Sequence, residues 1–159
     1  MNRLLILIIT FPFLSFGQKT KFPTNKDLKK IYTQAIADFI QDVNKNKRLS
    51  IDTLFVRKRT NEEESTENFP DIQLPESIEK VNVRLVSPAI GDIQQKALKN
   101  RICINMFGWI DNPKIKFDII VFSNGFDNKF NYYIEYNYNP QAKKYELIEL
   151  KFQGSPFDK

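Results

Sequence analysis

The pattern of apolar and polar positions divides the chain into a helical first part and a strand-rich second part. Over residues 24–46, apolar side chains recur three and four positions apart, the spacing that places them on one face of an α-helix. Thr24 can cap the first turn, and Asp27 follows three positions later, as in a capping box. The pattern predicts an amphipathic helix with an apolar stripe formed by Leu28, Ile31, Tyr32, Ala35, Phe39, Ile40 and Val43.

The remaining pattern is that of β-strands separated by turns. Residues 51–56 and 81–86 are rich in β-favouring side chains, and the second run alternates between apolar and polar positions. Over residues 101–152, four longer runs are joined by connectors that contain Asn, Asp, Gly or Pro. Because strands joined by short turns pair with their neighbours, this region predicts an antiparallel β-meander. Its third strand places on one face Phe130, Tyr132, Ile134, Tyr136 and Tyr138.

These elements predict a single α+β domain over residues 18–159, with the helix packed on a curved antiparallel sheet. The acidic stretch 60–71 is expected to be a loop, since it lacks periodicity and contains Pro70. The order of helix and strands across residues 24–152 resembles the cystatin-like and nuclear-transport-factor-2-like α+β families. The resemblance implies a sheet curved around the helix. Because these families include enzymes, ligand carriers, inhibitors and assembly subunits, it implies no single function.

The first seventeen residues have the features of a secretory signal peptide. Arg3 precedes an apolar run over residues 4–16, which is shorter than the about 20 residues that a membrane-spanning helix needs. Ser15 and Gly17 supply small side chains before a cut between Gly17 and Gln18. We therefore expect export to the periplasm or out of the cell, with no stable membrane anchor left after cleavage.

Composition restricts the chemistry that the chain can perform. The chain contains no histidine, one cysteine and five glycines that lie far apart. Without an imidazole, Ser–His–Asp and Cys–His catalysis are excluded in their usual forms, and zinc lacks its preferred ligands. The glycines form no phosphate-binding or dinucleotide-binding loop. We therefore expect no metal and no cofactor, and a buried, inert Cys103.

The formal net charge of +5 is unevenly distributed. Residues 18–59 carry eleven basic and four acidic side chains, whereas residues 60–80 carry one basic and seven acidic ones. The two regions can neutralise each other, and no nucleic-acid-binding motif is present, so we expect no nucleic-acid partner. The preference for Lys, Asn, Ile and Phe over Arg, Ala and Gly, together with the leader, resembles exported proteins of the Bacteroidota.

Two aromatic residues are candidates for ligand contact. Most aromatic residues of the meander are expected in the core, but Tyr133 falls on the polar face of its strand and Trp109 precedes a turn at a sheet end. Aromatic rings beside Asn side chains suit stacking against a sugar ring or an apolar ligand. The leading hypothesis is an exported, non-catalytic domain that binds a small ligand or an envelope protein, in an oligomeric state that the sequence leaves open.

Carboxylates in the strands support a second hypothesis. Asp118 and Glu135 lie among apolar residues, where burial raises a carboxyl pKa, and Tyr136 is a neighbouring phenol. A His-independent enzyme could use these three groups in a pocket between helix and sheet. A third hypothesis is an envelope inhibitor or partner subunit. The simpler interpretation of the carboxylates is that they face water in cross-strand pairs with Lys116, Lys144 or Lys151.

Overall fold

The computed structural model describes residues 23–57, 73–86, 101–123 and 127–154. Their elements, in chain order, are α1 (Asn25–Lys45), β1 (Thr53–Arg57), β2 (Ser77–Ile78), β3 (Val81–Val86), β4 (Ile102–Asp111), β5 (Lys114–Ser123), β6 (Asp127–Asn139) and β7 (Lys144–Gly154). Within these ranges, no helix combines the length and the apolar character needed to cross a membrane. The expected signal segment 1–17, its cut between Gly17 and Gln18, and the acidic loop 60–71 lie outside the described residues.

Helix α1 begins with the capping box that the sequence predicts. The backbone N–H of Asp27 donates to the Thr24 hydroxyl at 3.3 Å, and the Asp27 carboxylate accepts from the backbone N–H of Thr24 at 3.0 Å. These reciprocal bonds satisfy two N–H groups that the first turn leaves without helical partners. The predicted apolar stripe is buried except for Tyr32, which is half-buried, and the buried surface also includes Ile36 and Ala37.

The seven strands form one mixed sheet, in the order β2-β3-β1-β4-β5-β6-β7. The α+β fold class is therefore confirmed. The expected antiparallel sheet is wrong in its first part, because β1 lies between β3 and β4 and pairs with both in parallel. Parallel neighbours need a crossover of about a dozen or more residues. The chain between β1 and β3, and between β3 and β4, is long enough to provide one each time.

Strands β4, β5 and β6 each pair antiparallel with the next strand along the chain. Two residues, Asn112 and Pro113, separate β4 from β5, and the peptide bond between them is cis. Between β6 and β7, the side-chain oxygen of Asn139 accepts from the backbone N–H groups of Gln141 and Ala142 at 3.0 and 3.1 Å. These pairings place residues of the four strands in rows that run across the sheet.

Helix α1 lies against one face of this sheet. The rings of Phe39 on α1 and Tyr132 on β6 meet edge to face, with centroids 5.2 Å apart. The hydroxyls of Tyr132 and Tyr136 donate to two helix carboxylates, Asp42 at 2.7 Å and Asp38 at 2.5 Å. The strands complete the core with buried residues that include Leu54, Val56, Ile104, Ile115, Phe117, Ile119 and Ile134. Apolar packing and a polar seam together attach the helix to the sheet.

Cys103 is buried on the other face of the sheet, as its strand-like surroundings predict. It lies directly between Phe55 on β1 and Phe122 on β5. Burial raises the pKa of its thiol above the ordinary value. The thiol therefore stays protonated near neutral pH, which is the inert form of cysteine.

Candidate functional site

The sheet face that points away from α1 will be called the open face. In β4 to β7 it is built from the residues that alternate with the core positions. One row across it contains Phe107, Asp118, Tyr133 and Lys151, and the next contains Trp109, Lys116, Glu135 and Glu149. Aromatic, acidic and basic side chains therefore lie side by side on this face.

The two predicted contact residues meet on the open face. The ring centroids of Trp109 and Tyr133 are 6.5 Å apart, and the ring planes are inclined at 49°. Trp109 is 37% exposed and Tyr133 is half-buried. Both belong to strand positions opposite to those that enter the core, where Met106 and Ile134 are buried. The rings thus form a tilted pair with an accessible indole.

An ion pair holds Tyr133 in position. Its hydroxyl donates to one oxygen of Glu135 at 2.5 Å, and the other oxygen of Glu135 is 2.6 Å from the ammonium nitrogen of Lys114. The bonds from Lys114 and then Tyr133 keep the pKa of Glu135 below its ordinary value. Burial, followed by the bond to Glu135, raises the pKa of Tyr133. Glu135 therefore stays ionised, Tyr133 stays a phenol, and the ring is oriented before any ligand arrives.

Asp118 differs from the other carboxylates of the open face. It is half-buried, and the register places it between Phe107 on β4 and Tyr133 on β6. Within the described parts of the chain, its carboxylate makes no hydrogen bond or ion pair. Burial raises its pKa above the ordinary value. A partly desolvated carboxylate without a partner is unfavourable, and this one can accept hydrogen bonds from outside the protein.

Other carboxylates on this face have lysine partners. The Lys116 ammonium lies 2.6 Å from Asp111, and that of Lys144 lies 3.4 Å from Glu146. The Lys116–Asp111 contact joins neighbouring strands, as the simpler interpretation expects, whereas Lys144 and Glu146 lie two positions apart on β7. Among the described residues, no three His, Cys, Asp or Glu side chains are grouped so that they could hold a metal ion.

Sequence reasoning missed two amides next to the Asp118 row. Asn105 on β4 and Asn131 on β6 lie on either side of Ile120 in the adjacent row. Their side-chain oxygens are buried and have no hydrogen-bond partner within the described residues. The available signal was the position of each amide between two core residues, Asn105 between Ile104 and Met106 and Asn131 between Phe130 and Tyr132. Together with Asp118, they concentrate unused acceptor oxygens in this part of the open face.

The structure does not bring together the three residues of the enzymatic alternative. Asp118 and Glu135 lie on the open face, whereas Tyr136 points toward α1 and donates to Asp38. Because successive residues of a strand point to opposite faces, Glu135 and Tyr136 cannot both line one pocket between helix and sheet. The carboxylate–phenol contacts on the helix side are instead those of Asp38 and Asp42, which the sequence analysis did not identify.

Comparison of the chain with protein-family models, with curated proteins and with solved structures found no match. The resemblance to the cystatin-like and nuclear-transport-factor-2-like families therefore stays a prediction from the order of the elements.

Proposed function

We propose that the protein is an exported, non-catalytic binding domain that takes a neutral carbohydrate on the open face. The observation that carries this proposal is the Trp109–Tyr133 ring pair beside the carboxylate of Asp118, for which the described residues supply no hydrogen-bond or ion-pair partner. An aromatic ring packs against the apolar C–H face of a sugar. A carboxylate accepts strong hydrogen bonds from the hydroxyls at the edge of the same sugar. Both kinds of group are neighbours in two adjacent rows of this face.

The charges around Asp118 favour a neutral ligand. Lys116 precedes it by two positions on the same strand face, and Lys151 occupies the same row beyond Tyr133. A cationic ligand attracted to Asp118 would also meet the ammonium group of Lys151 in the same row, while Lys116 is paired with Asp111. A purely apolar ligand would remove water from Asp118 without replacing its hydrogen bonds. An uncharged ligand with hydroxyl donors avoids both costs.

The electrostatics of Asp118 support a role in binding over a role in stability. Its pKa is raised in the folded protein, so the folded state binds this proton more tightly than the unfolded chain does. The contribution of Asp118 to stability is therefore lost as pH rises through its pKa, and at neutral pH the ionised carboxyl destabilises the fold. A residue that disfavours folding and has no partner among the described residues is typical of a functional site.

A non-catalytic role is favoured by the state of the second nearby carboxylate. Glycoside hydrolysis needs two carboxyl groups with separate roles, one of them protonated as an acid. Glu135 is bonded to both Lys114 and Tyr133, and its pKa is lowered. Both of its oxygens are already engaged, so it is a poor nucleophile or base toward a bound sugar. Glu135 therefore does not complete a hydrolytic pair with Asp118, whose raised pKa would suit the acid.

Titration with sugars tests the binding proposal. The probes are neutral oligosaccharides built from glucose, mannose, galactose or N-acetylglucosamine, and the signal is the fluorescence of Trp109, the single tryptophan. We expect at least one probe to give a saturable change. Asp118→Asn should weaken that binding by about tenfold or more, since the charged acceptor is lost. Leu85→Ala, at an exposed position of β3, is the matched control and should bind as the parent does.

The melting temperature of the same variants separates binding from folding. Asp118→Asn should melt at the parent temperature or higher, because it removes an unfavourable charge. Weaker binding together with unchanged or greater stability supports the proposal. Absence of binding to every probe, or equal binding by parent and Asp118→Asn, would contradict it.

Export is supported by the signal-like composition of residues 1–17. Intact-mass analysis of the protein recovered from the envelope fraction of its own host tests this part separately. The expected product lacks residues 1–17 and begins at Gln18. A product that retains those residues would overturn export and leave the ligand-binding proposal untouched.

A further inference from the structure

The outer edge of the sheet at β7 is a second accessible surface. Within the described residues, β7 pairs with β6 alone, and it is eleven residues long, whereas the strand at the opposite edge, β2, has two. A long edge strand presents a row of unpaired backbone N–H and C=O groups. Three of its apolar side chains are also accessible: Leu147 is 47%, Ile148 is 54% and Phe152 is 36% exposed. Unpaired backbone and exposed apolar groups together favour the addition of another strand.

A β-bulge determines which side chains of β7 lie on each face. Tyr136 pairs with Leu147 and Glu135 pairs with Glu149, which leaves Ile148 as the extra residue. The face toward α1 then carries Tyr145, Leu147, Leu150 and Phe152. The open face carries Lys144, Glu146, Glu149 and Lys151.

We propose that a second copy of this chain pairs with β7 antiparallel, about a two-fold axis between Ile148 and Glu149. In this register Glu146 lies opposite the partner's Lys151, and Leu147 lies opposite the partner's Leu150. Tyr145 lies opposite the partner's Phe152. Each of these pairs joins side chains of the same face, and each occurs twice because of the symmetry. Opposite charges and apolar groups that face each other directly across two strands stabilise the pairing.

Neighbouring registers lose this match. If one strand slides by two residues, Glu146 lies opposite the partner's Glu149 and Lys144 lies opposite the partner's Lys151, so like charges meet. A slide by two residues in the other direction brings Glu149 of the open face opposite the partner's Leu150 on the helix side. A slide by one residue places side chains of opposite faces in every pair except the one at the axis, where Ile148 or Glu149 meets its own copy. The strand therefore specifies one register with itself.

This self-complementarity favours a second copy of the chain as the partner of β7. A two-fold interface requires that the same patch recognise itself, whereas an unrelated strand places no such requirement on the order of residues in β7. The dimer continues the sheet of one copy into the sheet of the other and removes the unpaired edge. The inference does not rest on the carbohydrate site, with which it shares only Lys151.

Sedimentation of the full chain over a wide range of concentrations tests the dimer. We expect a monomer–dimer equilibrium that Glu146→Lys and Lys151→Glu each weaken by about tenfold, since each converts two attractive contacts into two repulsive ones. The double variant, which exchanges the two charges, should restore the parent affinity. Glu76→Lys makes the same charge change at an exposed position next to β2, at the opposite edge, and should leave the equilibrium unchanged.

A further variant, at the two-fold axis, separates a loss of dimerisation from a loss of folding. Ile148 is the most exposed of the apolar residues of β7, so Ile148→Asp should fold as the parent does while it opposes the partner's Glu149 and weakens the dimer. Circular dichroism spectra and melting temperatures confirm that each variant is folded. A parent protein that stays monomeric at every concentration overturns the proposal. A dimer whose affinity is unchanged by these substitutions would also overturn the proposal. The same holds for a monomer that is purified with a different polypeptide bound to β7.

Discussion

Replacement of Tyr136 by Phe removes one oxygen atom from the seam between α1 and β6. The ring is buried and keeps its edge-to-face contact with Phe117, whose centroid is 6.2 Å away. The lost hydroxyl donates to the Asp38 carboxylate at 2.5 Å. A hydrogen bond to a charged group contributes about 1.5–3 kcal/mol to stability. Because Asp38 is half-buried, keeps the bond from the Gln34 side-chain amide at 2.9 Å and can recruit water in the variant, we expect a loss near the lower limit, about 1.5 kcal/mol.

Two matched variants make this number testable. Tyr132→Phe removes the bond to Asp42, but Asp42 keeps Asn46 at 2.9 Å and Arg48 at 3.7 Å, so the expected loss is smaller, about 1 kcal/mol. The hydroxyl of Tyr138 has no hydrogen bond within the described residues, and Tyr138→Phe should stay within about 0.5 kcal/mol of the parent. Urea denaturation followed by circular dichroism measures all three. A Tyr136→Phe variant as stable as the parent, or a Tyr138→Phe variant that loses equally much, would refute the reasoning.

Three further predictions concern the same framework. Burial and the bond to Asp38 raise the pKa of Tyr136 above its ordinary value of 10.0, so the unfolded chain loses this proton first and stability should fall as pH rises above that value. Urea denaturation at increasing alkaline pH measures how steeply the free energy of unfolding falls with pH. This slope should be up to about 1.4 kcal/mol per pH unit steeper in the parent than in Tyr136→Phe, and equal slopes would contradict this cause. Thr24→Ala should cost about 1 kcal/mol in the same assay through loss of the capping box, and no loss would mean that the cap is dispensable. Phe39→Ala should cost about 3–5 kcal/mol because the ring is fully buried, and a loss below about 1 kcal/mol would remove Phe39 from the core.

Local signals made the helix and one strand predictable. The sequence predicts a helix over residues 24–46, and α1 covers Asn25–Lys45. It predicts a strand over residues 81–86, and β3 covers Val81–Val86. Both signals act over a few residues: a capping pair, a spacing of three and four, and a strict alternation. No information from distant parts of the chain is required to recognise them.

The position of β1 could not be predicted in the same way. Its own residues indicate a strand, but its neighbours β3 and β4 are separated from it by long connectors. The rule that consecutive strands pair applies to short turns, and long connectors permit several orders of the strands. Which order forms depends on the packing of the whole sheet, which periodicity does not encode.

The candidate site was predictable in its residues but not in its arrangement. Alternation along β6 separates Tyr133 from the core side chains, and the turn after β4 places Trp109 near a sheet end. The contact between these two rings depends on the register of three strands. The hydrogen bond that holds the Tyr133 hydroxyl on the Lys114–Glu135 ion pair depends on the same register. The lack of a partner for Asp118 among the described residues depends on it as well. The role of Trp109 and Tyr133 in binding stays a prediction.

The measurement that tests the open face most directly is a map of backbone amide chemical shifts during titration with the neutral oligosaccharide that binds most tightly. Shifts concentrated on β4, β5 and β6 around Trp109, Asp118 and Tyr133 are the predicted result, with α1 unaffected. Asp118→Asn should then show the same pattern only at about tenfold or higher sugar concentration. Shifts concentrated between α1 and β7, or no shift with any neutral sugar, would contradict the account.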